Sequence, residues 1–438
     1  MSDTTQPALT MPARFLWGAA TSAHQNEGYN ANNQWAAWEK MPGRIYGGQR
    51  AGAAAGWWDL DIAAADFDRA GGLGLNSLRI SVEWSRIEPE PGVFDRPALD
   101  HYARMVKLLR ARGIEPLVTL HHFTDPIWLT ALGAWENPRV EDYFARYVTR
   151  VVEELGDSVS FWCTINEPIV YAVVGFLSGY FPPGVRSMRR TVKVLRHMLF
   201  AHARAYRIIH RLQNSTLVGT AHNMRVMLPL NAARAADRGV VAVLDQIANR
   251  SVFEAVFNGR LTPLLGLGQR YSPLLDSSDY IGLNYYTTVR VAFDPSRPTG
   301  LLSRESFSPC AELSDFTPLG EAYSEVDAGG LYTALKRLAK YGKPIYITEN
   351  GLPDRNDDMR SRFITGHLAA AWRAIQEGVD LRGYYHWTLV DNFEWAAGWS
   401  LRFGLFALDP VSGVRAPRPS AAVYARIVRS NAISPDLL

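Results

Sequence analysis

Short apolar runs that end in polar or aromatic residues alternate along this chain with longer stretches whose apolar positions recur at helical spacing. Runs of the first kind fall at residues 14–20, 77–82, 115–120, 159–165, 217–221, 280–283, 344–348 and 383–389. Between them lie amphipathic stretches such as 99–112, 140–155, 191–212, 331–341 and 361–378. In the second of these, Val140, Tyr143, Phe144, Tyr147, Val151 and Leu155 follow near i, i+3, i+4, i+7 spacing, the period of one helix face. Asn137 and Pro138 precede that stretch and Gly156 ends it, as helix start and stop signals should.

Strands that alternate with helices predict a parallel sheet, because a parallel crossover needs a dozen or more residues. Eight such units predict the α/β class and a closed (β/α)8 TIM barrel, with its site at the C-terminal ends of the strands. The competing open sheet that binds a dinucleotide requires a Gly-rich turn after its first strand. Gly18 leads into Ala19, Ala20, Thr21 and Ser22, and neither 71–74 nor 266–268 completes that turn. No Pro/Gly/Ser linker divides the chain. The expected organisation is a flexible polar segment at residues 1–12, then one catalytic barrel over 13–438.

Composition narrows the function classes. Of 438 residues, 47% are hydrophobic and 20% charged, enough apolar material for a large core. The formal net charge of +3 is too slight to argue for nucleic acid or an anionic membrane. The longest apolar stretch, residues 169–177, falls far short of the roughly 20 residues that span a bilayer. With no apolar leader in residues 1–12, a cytoplasmic location is the expectation. Two cysteines, Cys163 and Cys310, make no disulfide framework. No metal site is expected: His121 and His122 would point oppositely from a strand, and His197 and His202 share no helical face. No phosphate loop or nucleophile elbow is present, so no cofactor is expected.

Chemistry concentrates at two strand ends. The fourth run leads into Asn166, Glu167 and Pro168, and the seventh into Glu349, Asn350 and Gly351. Each places a carboxylate just past a strand, where a barrel carries its reacting groups. Two carboxylates flanking one bond suit glycoside hydrolysis: one protonates the leaving oxygen while the other attacks C1 or activates water. Aromatic residues make up 11% of the chain, and their faces stack on the C–H faces of sugars.

From Phe15 to about Leu408 the chain closely resembles the family 1 glycoside hydrolases, the β-glucosidase and β-galactosidase group. The segments that carry the resemblance are 15–28, 78–86, 164–168, 282–286, 348–351 and 391–395, six motifs in order. It implies a retaining, exo-acting β-glycosidase for terminal β-D-glucosyl residues, with galactosides and fucosides as secondary substrates. Glu167 would be the general acid/base and Glu349 the nucleophile, with Arg79 and Tyr286 keeping Glu349 ionised. The resemblance also implies that Gln25, His122, Asn166, Asn284, Glu394 and Trp395 bind the sugar and that Trp387 lies beneath its ring. The partner would be a small β-glycoside or short oligosaccharide. A transglycosidase would use the same two glutamates, whereas a non-catalytic carbohydrate-binding barrel would have no use for them.

Departures from the family pattern sharpen the expectation. Glu394 would repel a phosphate, which implies an unphosphorylated sugar, and Glu167 excludes the myrosinase-like branch, where an amide takes its place. Phe123 stands where Trp is usual, Ile169 where an aromatic is common, and no Trp occurs from Cys163 to Ala371. Phe176, Tyr180, Phe181, Tyr285 and Tyr323 are the candidates for a leaving-group shelf. A weakly stacking shelf favours aryl or short glycosides over long cello-oligosaccharides. The stretch 28–35 differs from the commoner loop and looks more like the archaeal-type β-glycosidases, known for broad gluco/galacto tolerance.

Overall fold

A computed structural model describes residues 7–297 and 301–438. Eight parallel strands close into a barrel: β1 (Leu16–Ala20), β2 (Ser77–Ser81), β3 (Glu115–Thr119), β4 (Phe161–Asn166), β5 (Leu217–Asn223), β6 (Ile281–Tyr285), β7 (Ile345–Asn350) and β8 (Leu381–Trp387). The ring shuts where β8 pairs with β1, Trp387 opposite Ala20. A helix follows each strand: α1 (Leu60–Leu73), α2 (Arg96–Arg110), α3 (Val140–Leu155), α4 (Met188–Leu212), α5 (Ser251–Asn258), α6 (Ala328–Leu338), α7 (Arg360–Gln376) and α8 (Pro419–Ser430). Local chemistry marks their ends. Asp59 caps α1 by accepting from the backbone of Asp61 and Ile62, and Gly74 ends it in the left-handed conformation.

Each barrel strand sorts its side chains by alternation. On β2, Leu78 and Ile80 face the helices, while Ser77 and Arg79 face the interior, bonding Tyr385 of β8 and Asn166 of β4. The interior is filled by Leu117, Phe161, Cys163, Ala221, Tyr280, Tyr346 and Tyr385, so the barrel is a packed core and not a pore. Two irregularities break the alternation near the mouth. The β4 register shifts between Cys163 and Asn166, and that of β7 between Ile347 and Glu349. Bulges of this kind re-aim side chains next to sites, and here they accompany the inward turn of Asn166 and Glu349.

At the mouth, Val226–Pro229, Thr288–Phe293 and Ser303–Ser306 form a three-stranded sheet outside the barrel. Glycine is required where β7 leaves the ring: a Cβ on Gly351 would lie 2.0 Å from the Trp387 carbonyl oxygen.

Part of the expected N-terminal segment, residues 1–6, lies outside the described residues. The remainder is not free. Leu9–Thr10 pair antiparallel with Ala432–Ile433, and Met11 is buried, so the ends of the chain tie together beside α7. Among the described residues no helix is long and apolar enough to cross a membrane.

Candidate active site

The site starts from Arg79. It is wholly buried at the interior of β2, and a guanidinium is a donor only, so every acceptor around it must turn an oxygen inward. Its Nη1 donates to Glu349 Oε1 at 2.5 Å, its Nη2 to Asn166 Oδ1 at 2.7 Å, and its Nε to Thr119 Oγ1 at 3.1 Å. Glu349 Oε2 accepts from the Tyr286 hydroxyl at 2.6 Å. Burial pushes the Glu349 carboxyl up, and Arg79, Tyr286 and Asn284 oppose it. Burial works against the charge of Arg79 as well, yet Glu349 beside it keeps the guanidinium firmly protonated.

Among the described residues no cation contacts Glu167. It sits between the end of β4 and Pro168, the first residue of the helix Pro168–Phe176, in the left-handed conformation at φ 45°. Such a conformation costs a non-glycine residue on the order of 1–3 kcal/mol. It is pinned by the bond its backbone N–H donates to the Ala221 carbonyl of β5, at 2.8 Å. Its Oε1 accepts from Asn284 Nδ2 at 2.7 Å and Asn223 Nδ2 at 3.2 Å. Burial, and then the negative charge of Glu349, push its pKa up to about 8. The two carboxyls therefore differ: one is paired with a cation, the other is an acid at neutral pH whose affinity for its proton depends on the first.

The remaining expected residues gather around this pair. Gln25 accepts from Ser22 at 2.6 Å and donates to the Phe393 carbonyl at 2.8 Å and to Glu394 Oε2 at 3.2 Å, tying the segment after β1 to that after β8. Burial and the charge of Glu349 raise Glu394 to about 8. His122 accepts at Nε2 from Asn166 Nδ2, at 3.1 Å, and burial followed by Arg79 and His121 holds its pKa well below the ordinary value. A neutral imidazole then leaves Nδ1 without a protein partner. The ring of His122 lies near-parallel to both Trp387 (6.1 Å) and Trp395 (6.2 Å), and His24 stacks on Trp395 at 5.8 Å. Asn284 differs from the expectation. Its Oδ1 accepts from Thr348 and its Nδ2 serves Asn166 and Glu167, so both ends of the amide are taken by the protein.

Above the pair opens a cavity of about 650 Å³ that meets the site at Glu394, Trp395 and Tyr323. Of the five shelf candidates, Tyr180, Phe181 and Tyr323 line it. The other two do not. Tyr285 is buried with its hydroxyl donated to the Asp327 carbonyl, and Phe176, the last residue of the helix Pro168–Phe176, belongs to the core. Three residues of the site escape a reading of the strand ends: Asn223, Thr348 and Ser22. Only Asn223 had a signal, since β5 runs two residues beyond its apolar stretch and carries it.

Comparison with known proteins agrees with this geometry. The sequence model of glycosyl hydrolase family 1 matches residues 8–433. The chain belongs to that family. It is 32% identical to beta-glucosidase A of Thermotoga maritima over 96% of this chain and 98% of the relative. It is 30% identical to a beta-galactosidase of Pyrococcus woesei over 97% of this chain and 98% of that one. Among solved structures, the beta-glycosidase from Pyrococcus horikoshii superposes with a TM-score of 0.89 at 36% identity, covering 99% of this chain and 98% of its own. The protein is thus a family 1 glycoside hydrolase built on a TIM barrel.

A double-mutant cycle tests the central ion pair. Arg79→Met alone leaves a buried carboxylate unpaired and should cost about 3–5 kcal/mol of stability. Adding Glu349→Gln should return a large part of that cost, because the orphaned charge is gone. Denaturant midpoints of the four proteins read the coupling, and strict additivity would contradict the pairing.

Proposed function

We propose that this enzyme is a retaining, exo-acting β-glycosidase that releases terminal β-D-glucosyl residues, and β-galactosyl and β-fucosyl residues secondarily, by double displacement. One observation carries the reading: the unequal surroundings of the two glutamates. Glu349, paired with Arg79 and bonded by Tyr286, is the nucleophile. Its carboxylate oxygen forms a bond to C1 as the C1–O bond to the aglycone breaks, and the proton of Glu167 goes to the departing oxygen. The charge of Glu349 then disappears into an ester. With that charge goes one cause of the raised Glu167 pKa, so Glu167 becomes a base. It takes a proton from water, the water oxygen bonds C1 on the face that the aglycone left, and the ester bond to Glu349 breaks. Configuration at C1 is inverted twice and so retained.

Gln25, His122, Asn166, Glu394 and Trp395 hold the hydroxyls of the sugar, with Trp387 beneath the ring. A pocket of fixed donors and acceptors rejects ligands that leave them unpaired. Glu394 belongs to a site that already holds two other carboxyls, which disfavours a phosphorylated sugar. The relatives named beta-glucosidase and beta-galactosidase support a glycone pocket tolerant at its hydroxyls.

Leaving groups enter through the cavity above. Its walls are mainly apolar (Val289, Phe307, Leu313, Pro318, Leu319 and Leu401), and no tryptophan other than Trp395 lines it. A short or aryl aglycone fits such walls, whereas further sugar units would find no second tryptophan to stack on.

Glu349→Gly should abolish turnover of p-nitrophenyl β-glucoside, and added azide should restore part of it as the α-glycosyl azide. Recovery of the β-azide, or full activity without azide, would overturn the assignment. In the oligosaccharide series, kcat/KM should stay nearly flat from cellobiose to cellotetraose. A steep rise along that series would contradict the leaving-group reading.

A further inference from the structure

The hydrogen-bond polarity of the whole site descends from one group. Arg79 can only donate, so Asn166 must present Oδ1 to it, and its Nδ2 faces His122. Asn284 also approaches Asn166 Oδ1, at 3.2 Å, and must therefore present Nδ2 there; its Oδ1 turns to Thr348. The same Nδ2 reaches Glu167 Oε1 at 2.7 Å. Asn223, paired with Asn284 across the β5–β6 ladder, brings a second Nδ2 to the same oxygen at 3.2 Å. Among the described residues no hydrogen bond reaches Oε2, and that atom is not sealed from solvent.

Two N–H donors on one carboxyl oxygen leave it no use for a proton of its own. We infer that Asn223 is a positioning residue for the acid/base: with Asn284 it keeps Oε1 an acceptor and so places the transferable proton of Glu167 on Oε2. This rests on the assignment of Glu167 as acid/base under the proposed function. The arrangement serves both half-reactions without rearrangement. As the acid, Glu167 presents a carbonyl-like Oε1 to the amides and an O–H at Oε2. As the carboxylate it keeps both amide bonds, and Oε2 is free to take the proton of water. Preorganised donors of this kind cost nothing at the moment of transfer.

Asn223 also biases the ionisation it positions, since an N–H donor favours the carboxylate. The other charged or titratable groups around Glu167 are Glu349 on β7, Arg79 on β2, Tyr286 after β6, Tyr323 on the mouth segment and Glu394 after β8. Asn223 bonds Glu167 and none of these. A change at residue 223 therefore marks which limb of a pH profile belongs to Glu167, even though Glu394 is raised into the same range.

The test compares Asn223→Ala and the near-isosteric Asn223→Leu with the unaltered enzyme on 2,4-dinitrophenyl β-glucoside and on octyl β-glucoside. Both variants lack any donor at this position, and Leu keeps the size of the side chain. The alkaline limb of kcat/KM should move up by about half a pH unit or more, because the carboxylate has lost a donor. The loss in kcat/KM should be about tenfold larger for octyl than for dinitrophenyl glucoside, since only the poor leaving group needs the proton. Equal losses on both substrates with an unmoved limb would overturn the inference. So would a Leu variant that matches the unaltered enzyme, which would reduce the role to shape. Failure of the unaltered enzyme on dinitrophenyl glucoside would instead sink the proposed function beneath it.

Discussion

A guanidinium sealed inside the mouth of a closed barrel keeps its charge only if acceptors surround it. Transfer of an ion out of water costs several kcal/mol even after the protein relaxes. Arg79 meets that demand with Glu349, Asn166, Thr119 and the Thr348 carbonyl, drawn from β7, β4 and β3. Much else in the site follows from that need. The anion that compensates the cation is also the one proposed to attack. The amide that satisfies its second nitrogen fixes the direction of the next amide, and through it the side of Glu167 that carries the proton.

The barrel makes such a network affordable. Arg79 is held from above by the mouth and from below by a packed interior of Leu117, Phe161, Cys163, Tyr280 and Tyr346, so it has no second arrangement to adopt. Rigid strands supply Arg79, Asn166, Asn284 and Glu349, whose positions must be accurate for proton and bond transfer. The segments beyond the strands supply Glu394, Trp395 and Tyr323, where the site meets the cavity. Gln25 joins the two sets through Phe393 and Glu394.

The eight strands are legible in the sequence because each is an apolar run bounded by polar residues, and 140–155 coincides with α3 because its apolar stripe is unbroken. Glu167 and Glu349 are legible because their flanking residues form motifs. What lay beyond reading has physical reasons. The bulges that accompany the inward turn of Asn166 and Glu349 break the strand period, so alternation alone assigns their faces wrongly. Asn223 sits where β5 continues through polar residues supported only by its neighbours. The pairing of Leu9–Thr10 with Ala432–Ile433 joins opposite ends of the chain and leaves no local trace. Asn284 carries a motif, but its bonds within the protein depend on Thr348 and Asn166, both distant in sequence.

The central claim is that the carboxylate held by Arg79 is the one that bonds C1. It is tested most directly by trapping that bond with 2,4-dinitrophenyl 2-deoxy-2-fluoro-β-glucoside, whose glycosyl-enzyme hydrolyses slowly, followed by peptic digestion and mass spectrometry. The account predicts one equivalent of fluoroglucose per chain, released with one dinitrophenolate and carried by Glu349. A label on any other residue, or dinitrophenolate release with no covalent label at all, would contradict it.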